Sequence, residues 1–88
     1  MSSLRRVKFS DTTIIIPTLN EEKNISALIE KLETLYPKLK MIVADDGSTD
    51  RTITVAEQKK VDVIDRKDRK IKGITAAVVE AATHVQKD

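Results

Sequence analysis

Ile42, Val43 and Ala44 run straight into two carboxylates, Asp45 and Asp46, and then into Gly47, Ser48 and Thr49. Adjacent carboxylates repel, so a pair closing an apolar run suggests chemistry: one accepts hydrogen bonds from a ligand such as a nucleobase N–H, and the other ties down the following turn. Equally ordinary chemistry would have both capping the turn and the next helix, since Asp-Gly is a common turn. A second group follows Pro17, Thr18 and Leu19, where Asn20, Glu21 and Glu22 stand together. These residues also make a plain helix start, with Thr18 and Glu21 as a capping box or Asn20 as N-cap. The third group lies at 65–72, where Arg66, Lys67, Arg69, Lys70 and Lys72 outnumber Asp65 and Asp68. A solvated loop has this composition. So does a loop in which one or two cations meet a diphosphate, with Gly73 opening a helix whose N-terminus favours anions. The lone His84 falls late in the last helical stretch and reads as a surface residue rather than a catalyst.

Other site types are excluded. No G-x-G-x-x-G follows the first apolar run and no G-x-x-x-x-G-K-[ST] occurs, which removes the dinucleotide fingerprint and the Walker loop. Without cysteine there is no disulfide, thiolate metal site or cysteine nucleophile. No Ser-His-Asp set and no His-rich metal spacing is present. The net charge is +2, and the one basic cluster is short, broken by acids and free of stacking aromatics, which argues against a nucleic-acid partner. No apolar run reaches the roughly 20 residues that span a bilayer, and 1–12 lacks the apolar stretch of a signal peptide. A cytoplasmic chain is expected.

The candidate groups need a scaffold, and 88 residues supply at most one domain. The 34% charged and 40% hydrophobic residues suit a globular chain. With Phe9 and Tyr36 the sole aromatics, its core must be aliphatic. Residues 1–11 read as an N-terminal extension and 12–88 as the domain. Thr12 to Ile16 is a β-branched run, ended by Pro17, of the kind buried on both faces of a parallel sheet. From about Glu21 to Tyr36 the apolar positions Ile25, Leu28, Ile29, Leu32 and Leu35 keep helical spacing, and Pro37 stops them. A second strand is expected over 40–44, then a helix over 51–60 with Asp50 as N-cap, a weaker strand over 61–64, and a last helix after Gly73 carrying Ala77, Val78, Ala81, Ala82 and Val85.

This β-α-β-α-β-α order implies a Rossmann-like α/β fold with a parallel sheet. Ligands of such sheets bind beyond the carboxyl ends of the strands, where all three groups converge. The Ile14–Ile16 run reads as a central strand that needs neighbours on both sides. Left unpaired it is a template for association, so a homodimer through 12–16 is expected.

Together the segments become specific. Residues 14–25 (Ile-Ile-Ile-Pro-Thr-Leu-Asn-Glu-Glu-Lys-Asn-Ile), 42–52 (Ile-Val-Ala-Asp-Asp-Gly-Ser-Thr-Asp-Arg-Thr), and Arg66 through Lys72, Gly73, Ala76 and Ala77 resemble the family 2 glycosyltransferases. The Asn-Glu-Glu-x-Asn-Ile opening looks most like the branch that makes dolichol- or polyprenyl-phosphate mannose and glucose. The resemblance covers residue 12 to about 86. It implies the N-terminal, nucleotide-binding half of an A-type glycosyltransferase domain, a three-layer α/β unit. Pro17, Leu19 and Glu21 would line the nucleoside pocket, Asp46 would hold the base, Ala44 would stand against the ring, and Lys72 would approach the phosphates. The implied reaction transfers a hexose, with inversion, from a GDP- or UDP-sugar to a lipid phosphate, with Mg²⁺ or Mn²⁺ on the departing diphosphate.

Two departures accompany the resemblance. The Asp-x-Asp metal motif would follow a fourth strand after the last helix, beyond Asp88. Position 81 is Ala where many relatives have Gly. The chain alone is therefore expected to hold no metal ligand and no catalytic residue, and to transfer no sugar. It could act at the cytoplasmic face of a membrane as part of a longer enzyme, or as a non-catalytic nucleotide-binding or self-associating fragment. A phosphoryl-accepting receiver domain fits poorly, because it places its acidic pair after the first strand and this chain places it after the second.

Overall fold

The computed structural model describes residues 12–86. The elements follow the expected order: β1 (Thr13–Thr18), α1 (Glu22–Leu35), β2 (Lys40–Asp45), α2 (Thr52–Gln58), β3 (Asp62–Asp65) and α3 (Ile74–Gln86). All three strands are parallel and lie in the order β1-β2-β3, with Ile15 opposite Ile42 and Val43 opposite Val63. This is the Rossmann-like α/β unit expected from the alternation of elements. β2 is the central strand, and β1 pairs only with β2 among the described residues.

β1 runs one register past Pro17 instead of stopping at it. The Thr18 carbonyl accepts the Asp46 N–H at 3.0 Å, so Thr18 faces β2. Alternate residues of a parallel strand face opposite neighbours, which turns Pro17 to the open edge, where its missing N–H costs no ladder bond.

Strand alternation also divides the core into two sides. On one, Ile16 and Val43 pack with Ile25 and Ile29 of α1, Ala56 of α2 and Val61. Ile25 and Ile29 are fully buried, and each such burial stabilises by roughly 1.5–3 kcal/mol. The apolar stripe of α1 is narrower than its spacing suggests, because Leu28 and Leu35 remain exposed. The helix ends at Leu35, with the Tyr36 amide donating to the Leu32 carbonyl, just before Pro37. On the other side, Ile42 and Ala44 pack with Ala77 and Ala81 of α3, flanked by Ile15 and Ile64 of the neighbouring strands. Alanines at i and i+4 share one helix face and let α3 lie close over β1 and β2.

Candidate functional site

The carboxyl ends of β1 and β2 divide the acidic pair between the two sides of the sheet. Asp45 is completely buried. Its Oδ1 accepts the hydroxyls of Thr18 and Ser48, both at 2.6 Å, and its Oδ2 accepts the amides of Gly47 at 3.1 Å and Ser48 at 2.7 Å. It is the residue that ties down the turn. Gly47 sits there at φ 108°, a backbone conformation that residues with a Cβ rarely adopt.

Asp46 projects to the α3 side. Its Oδ2 accepts the Gly73 amide at 2.5 Å and its Oδ1 pairs with Nη1 of Arg66. Gly73 itself has φ 111°, which aims that amide back at the strand ends just before α3 begins. Arg66 is only 3% exposed. Every guanidinium nitrogen is used: Nη1 on Asp46, Nε on Glu80 Oε1 at 2.8 Å, and Nη2 on the Ile71 carbonyl at 2.8 Å. Glu80 also accepts from Arg69, Nη2 to Oε2 at 2.7 Å. Arg69 and then Arg66 hold the Glu80 carboxyl down at about 2. Sequence reasoning assigned 65–72 to solvent or to phosphate. It missed the buried Arg66 because the partner Glu80 lies fourteen residues away, one helix later.

A cavity of about 260 Å³ opens between these parts. Pro17, Thr18, Leu19 and Glu21 form one wall, Gly73, Ile74 and Ala77 the other, and Asp46 brings a carboxylate to it. Four of the six expected site residues, Pro17, Leu19, Glu21 and Asp46, thus meet at one cavity. Ala44 does not line it; this residue is fully buried under α3, between the sheet and Ala77. Nor does Lys72, whose ammonium donates to the carbonyls of Arg66 at 2.7 Å and Lys67 at 2.8 Å and so clasps its own loop. Two of its three donors are used.

The helix-start readings of Thr18, Asn20, Glu21 and Asp50 are replaced by a cross-loop arrangement. Thr18 gives its hydroxyl to Asp45, and Glu21, the N-cap of α1, makes no side-chain cap bond. Asn20 adopts φ 56°. Its amide donates to Ser48 Oγ at 2.8 Å while its Oδ1 accepts the Thr49 amide at 2.9 Å. Arg51, not Asp50, is the N-cap of α2, yet Asp50 serves both helices. Its Oδ1 accepts the Thr52 amide at 2.9 Å and the Thr52 hydroxyl at 2.5 Å, and its Oδ2 accepts the Glu22 amide at 3.1 Å. The Thr52 hydroxyl above all holds the Asp50 carboxyl below its ordinary range. In return Glu22 Oε1 accepts the Arg51 amide at 3.1 Å, and the Glu21 amide donates to Thr52 Oγ1 at 2.8 Å.

Among the described residues no three His, Cys, Asp or Glu side chains are grouped to hold a metal ion, and no helix is long and apolar enough to cross a membrane. The exposed His84 lies beside Glu80 and Arg69 in a separate depression along β3, away from the cavity at the strand ends.

Comparison with known proteins places this geometry. Residues 13–88 match the family described as Glycosyl transferase family 2. The 4,4'-diaponeurosporenoate glycosyltransferase of Staphylococcus aureus (strain USA300) is 41% identical over 75 residues, covering 82% of this chain and 20% of the relative. The same is found for that enzyme from strain NCTC 8325. The crystal structure of glucosyl-3-phosphoglycerate synthase from Mycobacterium tuberculosis, in complex with Mn²⁺, UDP and glucosyl-3-phosphoglycerate, aligns with a TM-score of 0.70 at 26% identity. That alignment covers 82% of this chain and 28% of the synthase. The chain spans about a fifth of the length of the curated relatives it matches.

Proposed function

Because the chain belongs to glycosyl transferase family 2, we propose that the cavity at its strand ends grips the nucleoside of a sugar donor, a UDP- or GDP-hexose. The observation that carries this reading is Asp46, a carboxylate held at the edge of a slot whose facing walls carry the apolar side chains of Leu19 and Ile74, with Glu21 beside Leu19. Leu19 is 54% exposed and Ile74 72% exposed on opposite walls, so a planar base between them would cover apolar surface from both sides. Uracil and guanine each carry a ring N–H on the edge that Asp46 would meet, and an ionised carboxylate is an acceptor only. The cavity is smaller than the roughly 300–1,000 Å³ of whole small-molecule sites, which suits a nucleoside end with the rest of the donor outside. Lys72, with one donor unused, would turn that donor to the diphosphate.

The remainder of the reading concerns the whole enzyme. The Asn20–Ile25 segment supports a polyprenyl or dolichyl phosphate acceptor at the cytoplasmic face of a membrane. Such an acceptor is already ionised, so no general base has to create the nucleophile. The barrier is then charge building on the departing nucleoside diphosphate, which Mg²⁺ or Mn²⁺ can stabilise. In this reading this part of the chain is assigned the grip on the donor, and the chemical step belongs to the whole enzyme. By itself it binds nucleotide without transferring sugar, and sugar transfer by the purified 88-residue chain would overturn that.

The decisive experiment is nucleotide titration of the chain and its Asp46→Asn variant. We expect UDP or GDP to bind the parent chain and the variant to lose at least about tenfold in affinity, the value of a charged hydrogen bond. Equal affinity would sink the assignment. A second reading, a homodimer through β1, is favoured by the outer side of that strand, which no strand pairs among the described residues. It predicts a mass by light scattering that rises with concentration and amides of 13–18 that become protected as it does.

A further inference from the structure

Asp46 does not hold its own position. Its two oxygens are fixed by Nη1 of Arg66 and by the Gly73 amide, and Arg66 is fixed in turn by Glu80, halfway along α3. We infer that Glu80 is a positioning residue for nucleotide recognition: from outside the cavity it aims Asp46, through the Arg66 guanidinium, at the ring N–H of the base. The inference rests on the reading of Asp46 given above, and the experiment below separates the two.

The chemistry follows from how the guanidinium is spent. A planar fork with five donors can hold several acceptors in one fixed plane. Here Nε faces Glu80, Nη1 faces Asp46 and Nη2 faces the Ile71 carbonyl. The orientation of Nη1 is therefore set by what Nε and Nη2 grip. The Ile71 carbonyl belongs to the loop itself, whereas Glu80 belongs to a helix seated on the sheet through Ala77 and Ala81. Glu80 is thus the link that ties the fork to the rigid part of the fold. With Asp46 it also neutralises a cation buried to 3% exposure, and it is itself steadied by Arg69 from the solvent side. The line Arg69–Glu80–Arg66–Asp46 alternates in charge from surface to cavity.

None of this consumes the whole accepting capacity of Asp46. A carboxylate has about four acceptor sites, and Arg66 and Gly73 occupy two. A base N–H takes another only if the carboxylate plane is held where Arg66 puts it. Loss of Glu80 leaves Arg66 buried and one acceptor short. The fork then rotates to find another, and Asp46 follows it.

The test compares UDP with N3-methyl-UDP, which has the same ring and phosphates and no N3–H to give. Binding is read by titration with the 88-residue chain, with folding checked by circular dichroism. The parent chain should prefer UDP clearly. If it discriminates neither UDP from N3-methyl-UDP nor GDP from N1-methyl-GDP, the reading of Asp46 is wrong before Glu80 is touched; where guanine is the base bound, the GDP pair replaces the UDP pair throughout. Given discrimination, Glu80→Ala should reduce the preference roughly fivefold, mainly by weakening UDP and with little effect on the methylated analogue. Glu80→Gln should recover at least half of it, because its amide oxygen still accepts from Nε. A Glu80→Ala chain that discriminates like the parent, or a Glu80→Gln chain no better than Glu80→Ala, overturns the inference. If Glu80→Ala does not fold, Arg66→Lys gives the same reading, since a single ammonium cannot span three separated acceptors. Undiminished discrimination in Arg66→Lys would likewise overturn it.

Discussion

The cavity lies between two loop systems built on different physics. The β1–α1 and β2–α2 loops are stitched by hydrogen bonds in which carboxylate, carboxamide and hydroxyl oxygens accept from backbone amides: Asn20 on Ser48 and Thr49, Asp50 on Glu22 and Thr52, Glu22 on Arg51. The β3–α3 corner is held by full charges, Arg66 against Asp46 and Glu80, and Arg69 against Glu80. Amide hydrogen bonds are short-ranged and little affected by salt, and the buried Arg66–Asp46 pair is screened little too, whereas the exposed Arg69–Glu80 pair of the corner is screened. The stitched wall, with Pro17, Leu19 and Glu21, should therefore be the constant one, and the corner that carries Gly73 and Ile74 the adjustable one.

The two walls should respond differently at four points. The largest effect is expected at Asp45, which anchors the stitched side. Asp45→Ala orphans two hydroxyls and two amides beside a fully buried site and should cost about 3 kcal/mol, on the scale of unsatisfied buried groups; the urea midpoint measures it. Next is Asn20. Asn20→Ala loses an acceptor and places a less tolerant residue at φ 56°, for a loss of about 1–2 kcal/mol, while Asn20→Gly should lose less because glycine accepts that conformation. A glycine variant worse than the alanine one would show that the strain, not the bonds, had been misjudged.

Acid provides the third point. The folded-state Glu80 carboxyl titrates near 2 against an ordinary 4.5. A lowered value means that its stabilisation is complete above the unfolded value and disappears as pH falls from 4.5 to about 2. Asp50 is lowered too, by Thr52 first, so acid loosens both sides. Glu80→Gln should flatten only the corner's share of that pH dependence of Tm. Smallest is the exposed pair: Arg69→Gln should lower Tm only slightly, and concentrated NaCl should erase the difference from the parent chain. A salt effect of the same size in an Asn20 variant would dissolve the distinction between the two walls.

Much of the scaffold was legible in the residues, because each apolar run shows one period: two-sided for 14–16, helical for 25–32, and short again for 42–44. The strand ends were less so. Pro17 reads as a stop, and only the direction of its missing N–H, a property of the sheet, allows the strand to continue through it. Of the site, the acidic pair and the Leu19–Glu21 approach could be found, since spacing to the ends of the strands locates them. Ala44 and Lys72 could not be placed: an alanine before the pair carries no sign of which side α3 covers, and a lysine's reach allows its own loop carbonyls as readily as a cavity. Thr52 was invisible for another reason. A threonine in a helical stretch looks solvated, and its complete burial depends on Glu21 and Asp50 arriving from both sides.

That buried hydroxyl has a consequence in time rather than in energy. The Thr52 hydroxyl accepts a hydrogen bond from the Glu21 amide and donates one to Asp50, and Asp50 in turn accepts the Glu22 amide, so the first turns of α1 and α2 share one latch across about thirty residues of chain. Neither can fray while the other stays closed. In deuterium exchange, the amides of Glu21, Glu22, Arg51 and Thr52 should therefore open to solvent in a single event with one common rate, a cooperative unit composed of two helix ends distant in sequence.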